Sequence, residues 1–277
     1  MEEQKAIGIL DSGVGGLTVV KEVFRQLPKE KVIYFGDTAR CPYGPRLLEE
    51  VKEFTLEIVD FLLAQNVKMI VIACNTATAA ALQEVKKKVK IPVVGVIRPG
   101  SLSAIKHTQT GEIGVIGTEG TIQSGAYENT LKQINPKLKV TSHACPTLVP
   151  LVESGIEDEI TIRQVVKDAL KPILSQKMDS LILGCTHYPL ISKYIQEVVG
   201  DQVKLLSSAE ETAREVSTIL HHQNLLNQTE NEPEHHFYTT GDVVHFKQIA
   251  EKWLGRAIEV THIELAKKNE EKSSIKK

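Results

Sequence analysis

Two cysteines in this 277-residue chain stand where a thiol can do acid–base work. Cys74 closes the apolar run MIVIAC and is followed at once by Asn75 and Thr76. Cys185 closes SLILGC and is followed by Thr186 and His187. Each reads as the end of a buried strand, the edge of an open α/β sheet at which ligands bind. After Cys74 the run ATAAALQEV begins a helix, whose first backbone N–H groups are unpaired and offer a seat to a carboxylate. The same positive end favours thiolate over thiol and is expected to pull the Cys74 pKa below its free value of about 8.5. A single strand-end cysteine is more often a small buried hydrophobe. A matched pair, each followed by polar residues, points to function.

Other residues group with these two. Asp11 and Ser12 leave the first strand-like run in LDSGVGG, where three glycines allow close backbone approach. The stretch is not a dinucleotide fingerprint, because Thr18 stands where the last glycine belongs, and it lacks the Gly-Lys-Ser/Thr of a P-loop. Asp11 can cap the next helix, hold an ammonium group or relay a proton to a thiol. Tyr43 and Gly44 lie on a turn in GDTARCPYGPR, and the Tyr43 hydroxyl is available there. His187, two residues beyond a strand-end cysteine, is more specific than a lone core histidine. Glu153 in PLVESG either ends a helix on solvent or orients His187, and the sequence does not choose. Cys41 and Cys145 each precede a proline without a polar partner motif and are assigned structural roles. With no Cys-x-x-Cys pair and no His-x-x-x-His, a structural zinc site is not expected.

The elements that must position these residues follow from the hydrophobic pattern. Short apolar runs (AIGIL, KVIYFG, MIVIAC, IPVVGV, EIGVIG, KVTSHAC, SLILGC) mostly lack alternation, as parallel strands covered on both faces do. Between them, Val51, Phe54, Ile58 and Leu62 share one helical face, as do Ile162, Val165, Val166 and Leu170 in a helix that Pro172 ends or kinks. This rhythm predicts an α/β protein with parallel sheets flanked by helices. The chain also repeats weakly. AIGILDSGVGG is echoed by EIGVIGTEGTI, and VIACNTAT by LILGCTHY, which pairs Ser12 with Thr118, Asn75 with Thr186 and Thr76 with His187. The reading is of two pseudo-symmetric domains with the active site in the cleft between them. Residues 1–97 with 210–277 form the first and 98–209 the second. Helical AEETAREVSTILHH and strand-like HHFYTTGD return to the first domain, NQTENEPE is a surface loop, and KKNEEKSSIKK is a frayed tail.

Composition sets the class. The chain is 42% hydrophobic and 25% charged with a net charge of -2, which argues against a nucleic-acid binder working through a basic footprint. No apolar run approaches the roughly 18 residues of a membrane span, and MEEQKAIGIL has none of the features of a signal peptide. A cytoplasmic protein with reduced thiols is expected.

Taken together, GILDSGVGGLTV, FGDTARCPYG, VIACNTATA, VIGTEGTI and LGCTHYPL resemble, in order, the motifs of the glutamate racemases of the aspartate/glutamate racemase superfamily. The resemblance implies cofactor-independent interconversion of L- and D-glutamate, supplying D-glutamate for peptidoglycan in a bacterial cytoplasm, by a homodimer. It implies that Cys74 works on the D-glutamate face, assisted by Asp11. Cys185 works on the L-glutamate face, assisted by His187 with Glu153. It further implies substrate contacts at Asp11, Ser12, Tyr43, Gly44, Asn75, Thr76, Thr186 and His187, with Thr118 and Thr121 in a nearby loop. Inverting a stereocentre by proton transfer needs a base on one face and an acid on the other, which two thiols in opposite states supply. Unaided, the residues reach a two-thiol acid–base site for a small anion. A racemase of aspartate or another small acid, a non-catalytic anion-binding module and a thiol redox protein are the competing readings.

Overall fold

The computed structural model describes residues 2–265, and the segment read as a frayed tail lies outside them. Ten strands form two wholly parallel sheets. The first sheet holds β1 (Ile7–Asp11), β2 (Val32–Gly36), β3 (Met69–Ile72) and β4 (Val93–Gly95), and later β9 (His236–Thr239) and β10 (Val260–His262). The second holds β5 (Glu112–Gly117), β6 (Lys139–Ala144), β7 (Ser180–Gly184) and β8 (Lys204–Ser207). Their orders are β10-β9-β2-β1-β3-β4 and β6-β5-β7-β8. The weak repeat thus has a topological counterpart, because each sheet contains the same unit with its first strand between its second and third.

The helices that cross between strands cover both faces. In the first half they are α1 (Leu17–Gln26), α2 (Leu48–Ala64) and α3 (Asn75–Lys88). The second half carries α4 (Ile97–His107), α5 (Glu119–Gln123), α6 (Ala126–Ile134), α7 (Leu148–Glu153), α8 (Glu159–Leu170) and α9 (Ser192–Val199). The chain then returns through α10 (Ala209–His222) and α11 (Val243–Leu254). Every residue of β1, β2, β3 and β7 is buried, which accounts for their unbroken apolar runs. The edge strand β6 has no buried residue, which fits the polar KVTSHA. On α2, Val51, Ile58 and Leu62 are buried as patterned, while Phe54 sits half-buried at the margin with the Arg40 guanidinium 4.0 Å above its ring. Helix α8 stops two residues before Pro172, whose ring cannot continue the ladder.

Four apolar clusters flank the sheets. Ile7 and Ile9 of β1 point into one and Leu10 into another, the alternation that a strand's pleat imposes. Leu181 and Leu183 of β7 likewise enter one cluster and Ile182 the other. Strands held on both faces keep their C-terminal ends in place, and the chemistry-bearing residues leave from those ends.

Candidate active site

Because β1 lies between β2 and β3, and β5 between β6 and β7, the chain switches direction across the sheet at β1 and at β5. The crevice outside the C-terminal ends at such a switch is where open α/β sheets bind ligands. Asp11, Ser12 and Cys74 leave the first sheet there, and Thr118 and Cys185 leave the second. The two edges face each other across a cavity of about 20 Å³. Its walls include both thiols together with Ser12, Tyr43, Gly44, Asn75, Thr76, Thr118, Thr186 and His187, and also Pro42, Val149 and Gly184. That volume holds about one water, so the walls must part to admit an amino acid. A cavity of about 940 Å³ beside α1, α4 and α10 holds none of the thiols.

Asp11, Thr121 and Glu153 stand behind this wall, each bonded to a residue in it. Thr186 donates its hydroxyl to Asp11 Oδ2 at 3.3 Å, and Asp11 Oδ1 accepts the Gly13 N–H at 3.0 Å. Asp11 therefore ties its own turn to the opposite half, and its carboxylate also meets the backbone N–H of Gly16, the N-cap of α1. The hydroxyls of Thr76, Thr118 and Thr121 form a closed triangle with sides of 2.9, 3.2 and 3.0 Å across the cleft. Glu153, the last residue of α7, places Oε1 3.0 Å from His187 Nε2. The helix end and the histidine contact, which the sequence held as alternatives, thus fall at the same place.

The two thiols are supported differently. Cys74 is the N-cap of α3, and its sulfur accepts the Ala77 N–H at 3.5 Å. The expected depression of its pKa is overturned: burial, and then the negative charge of Asp11, push the thiol up to about 12 against the Ala77 and Ser12 hydrogen bonds. A helix end contributes a partial charge, and desolvation of a fully buried thiolate costs more. Cys185 is followed by a 3₁₀ turn, Tyr188–Ile191, and instead has His187 Nδ1 3.7 Å from its sulfur. Burial works against a charged His187, but hydrogen bonds and charges from Cys185 and Glu153 outweigh it and lift the imidazole to about 10. His187 is thus held between a carboxylate and a sulfur.

Two further expectations are corrected. The Tyr43 hydroxyl is committed to Asp37, which also accepts from Arg40 Nε at 2.6 Å and the Thr240 hydroxyl at 2.8 Å. Tyr43 still lines the cavity. Cys41, read as structural and unpartnered, places its sulfur 3.0 Å from Glu153 Oε1. Cys145 is buried beside the Ala169 carbonyl, as a structural cysteine should be. All four cysteines are free thiols.

Sequence reasoning missed Tyr127, whose hydroxyl donates to Asn75 Oδ1 at 2.7 Å and leaves the buried Nδ2 without a protein partner. Tyr127 sits on the polar helix segment AYENT, where nothing local marks it. The use of the glycines in LDSGVGG is also tertiary. A Cβ on Gly15 would stand 2.3 Å from Thr186 Oγ1 and 2.7 Å from His187 Nδ1, so the bare backbone is what seats the opposite turn.

Two facing α/β units with a thiol at each switch point define the class, and residues 7–216 match the Asp/Glu/Hydantoin racemase family, to which the chain belongs. It is 57% identical to a glutamate racemase of Bacillus cereus over 96% of this chain and 100% of that one. A solved glutamate racemase isoform of Bacillus anthracis superposes with a TM-score of 0.93 at 54% identity, covering 95% of this chain and 98% of the other. A Francisella tularensis glutamate racemase, solved in complex with D-glutamate, gives 0.89 at 35% identity over 95% and 98%.

Proposed function

We propose that the protein is a glutamate racemase that inverts the α-carbon by proton transfer between Cys74 and Cys185. The observation that carries this is the pair of thiols on opposite walls of one small cavity with unlike partners. Cys74, buried beside Asp11, rests as a thiol. Cys185 instead faces the His187 ring, with Nδ1 3.7 Å from its sulfur. Inversion requires the two sulfurs in opposite states, and these unlike partners supply the asymmetry.

In the direction from L to D, the Cys185 thiolate takes the α-proton and becomes a thiol, and the electron pair stays on Cα and its carboxylate. Cys74 delivers its own proton to the opposite face and is left as a thiolate. Reversal uses the same groups with roles exchanged. The developing dianion needs donors aimed at the α-carboxylate. The unpartnered Asn75 Nδ2, the hydroxyls of Thr76 and Thr186 and the first N–H groups of α3 are assigned that task. Walls that must part for substrate and close again exclude water, which strengthens those contacts.

The D-glutamate is assigned to peptidoglycan synthesis in a bacterial cytoplasm, and the working form is taken as a homodimer. Among the described residues no helix is long and apolar enough to cross a membrane. The test is incubation with L-glutamate in D₂O without added cofactor, following optical rotation and Cα deuterium together. Rotation should decay as deuterium enters. Cys74→Ser and Cys185→Ser should each lower the rate by at least about 100-fold, the low end for a positioned acid or base. Flat traces for glutamate but not aspartate would reassign the substrate. Flat traces for both would leave an anion-binding module, whose double Cys→Ser variant binds normally.

A further inference from the structure

Glu153 has a second partner that this scheme does not use. The Cys41 sulfur and His187 Nε2 both approach the same carboxylate oxygen, Oε1, each at 3.0 Å. Cys41 belongs to the loop after β2, in the first half, whereas Glu153 ends α7 in the second, so the contact forms only where the halves meet. Three features make it more than a chance approach.

The thiol is a donor. Burial, followed by the charge and hydrogen bond of Glu153, pushes its pKa far above the free value, so it stays protonated and points its S–H at the carboxylate. The place is also shaped for the contact. A Cβ on Gly13 would stand 3.2 Å from the Cys41 sulfur and 3.5 Å from Glu153 Oε1, so the bare glycine leaves both atoms their room. Finally, Glu153 needs holding. Its side chain is 31% exposed against 3% for His187, and it borders a cavity of about 290 Å³ lined also by Thr38, Asp242 and His245. A carboxylate on the last turn of a six-residue helix, open to water on one side, has other rotamers within reach.

We propose that Cys41 is a positioning residue for racemisation: its S–H holds Glu153 Oε1 in line with His187 Nε2 when the halves meet, and so keeps the imidazole aimed at Cys185. The inference rests on the racemase reading. It also makes Cys41 part of what a closed cleft assembles, since the thiol and the carboxylate come from different halves.

The groups facing Glu153 are Cys41 from the first half, His187 from the turn after β7, and Asp242 and His245 at the start of α11, with Asp11 acting on Cys41 and Cys185 on His187. Burial disfavours the Glu153 carboxylate, but the His187 and Cys41 hydrogen bonds overcome it and hold the group below its ordinary value. Removing the Cys41 donor must therefore raise the Glu153 pKa and move the acid limb of kcat/KM to higher pH.

The experiment is a pH profile of kcat/KM for the full chain and for Cys41→Ala, Cys41→Val and Cys41→Ser, with Cys41→Ala repeated in a Glu153→Ala background. L-Glutamate alone suffices, because enantiomers of equal free energy oblige kcat/KM to fall equally in both directions. Cys41→Ala should lower kcat/KM about tenfold or more near neutrality, the low end for one lost hydrogen bond to a charged group, and shift the acid limb upward. Cys41→Ser, whose hydroxyl donates, should recover most of both. Added to Glu153→Ala, Cys41→Ala should change little, within about twofold for an uncoupled site. Cys41→Val, similar in size and unable to donate, replaces the alanine variant should that one not fold. An unmoved acid limb, a serine variant no better than alanine, or an equal loss in both backgrounds overturns the proposal. A parent chain that fails to racemise glutamate overturns the underlying reading instead.

Discussion

The hydroxyl of Tyr127 donates to Asn75 Oδ1 at 2.7 Å, which fixes the direction of an amide whose Nδ2 is buried and otherwise unpaired. Tyr127 lies on α6 of the second half and Asn75 at the start of α3 in the first, so the amide is aimed by the opposite side of the cleft. Tyr127→Phe removes only that bond and keeps the ring packed. Its KM for glutamate should rise about fivefold, the scale of one neutral hydrogen bond, with a melting temperature close to the parent's. An unchanged KM in steady-state kinetics would show that Asn75 does not need this anchor.

His187 links pH to stability. Its folded pKa, about 10, lies above the ordinary value of 6.5. A group with a raised folded pKa contributes stability that is fully present below the unfolded value and lost as pH rises through the folded one. The urea midpoint of the parent should therefore exceed that of His187→Gln most at about pH 6. The difference should shrink steadily towards the folded value near 10. A constant difference between the two midpoints would mean that His187 carries no charge in the fold.

Gly15→Ala tests whether the first half's glycine turn seats the second half's catalytic turn. The new methyl would stand 2.3 Å from Thr186 Oγ1 and 2.7 Å from His187 Nδ1, too close for either to stay. Displacing the group beside Cys185 by about 1 Å should cost about 100-fold in kcat/KM. Gly15 contributes no side chain to the apolar clusters, so thermal melting should move little by comparison. A variant with parental kcat/KM would sink the idea.

Lys68 and Glu30 form an ion pair 2.5 Å long with side chains only 1% and 2% exposed, and Lys68 Nζ also donates to the Glu3 and Leu225 carbonyls. The site joins the N-terminal turn, the α1–β2 loop, the residue before β3 and the segment after α10. Lys68→Met strands a buried carboxylate and should destabilise by about 3–5 kcal/mol. Adding Glu30→Gln should restore part of that. Urea denaturation of the single and double variants measures both, and additive losses would show that the pair does not interact.

Local relations were legible in the sequence. Unbroken apolar runs marked β1, β3 and β7, because strands covered on both faces have no polar side to alternate. Cys74 and Cys185 stood out because a strand end and the following turn are neighbours along the chain, and the cap that Cys74 gives the Ala77 N–H spans only three residues. The echo of one half in the other could be read because each unit repeats strand, turn, strand and thiol in the same order.

The partners of those residues were not legible, because they lie far along the chain. Thr186 meets Asp11 across 175 positions, Cys41 meets Glu153 across 112 and Tyr127 meets Asn75 across 52. No periodicity or cap relates such residues. They meet only once two sheets with the same strand order turn their switch points toward each other. The same burial decided the state of Cys74, which its helix position alone placed on the thiolate side: desolvation of a fully enclosed sulfur outweighs the partial charge of a helix end. The sequence by itself determined which groups stand at the strand ends. The tertiary structure decided what each faces, an aspartate beside Cys74 and a histidine beside Cys185.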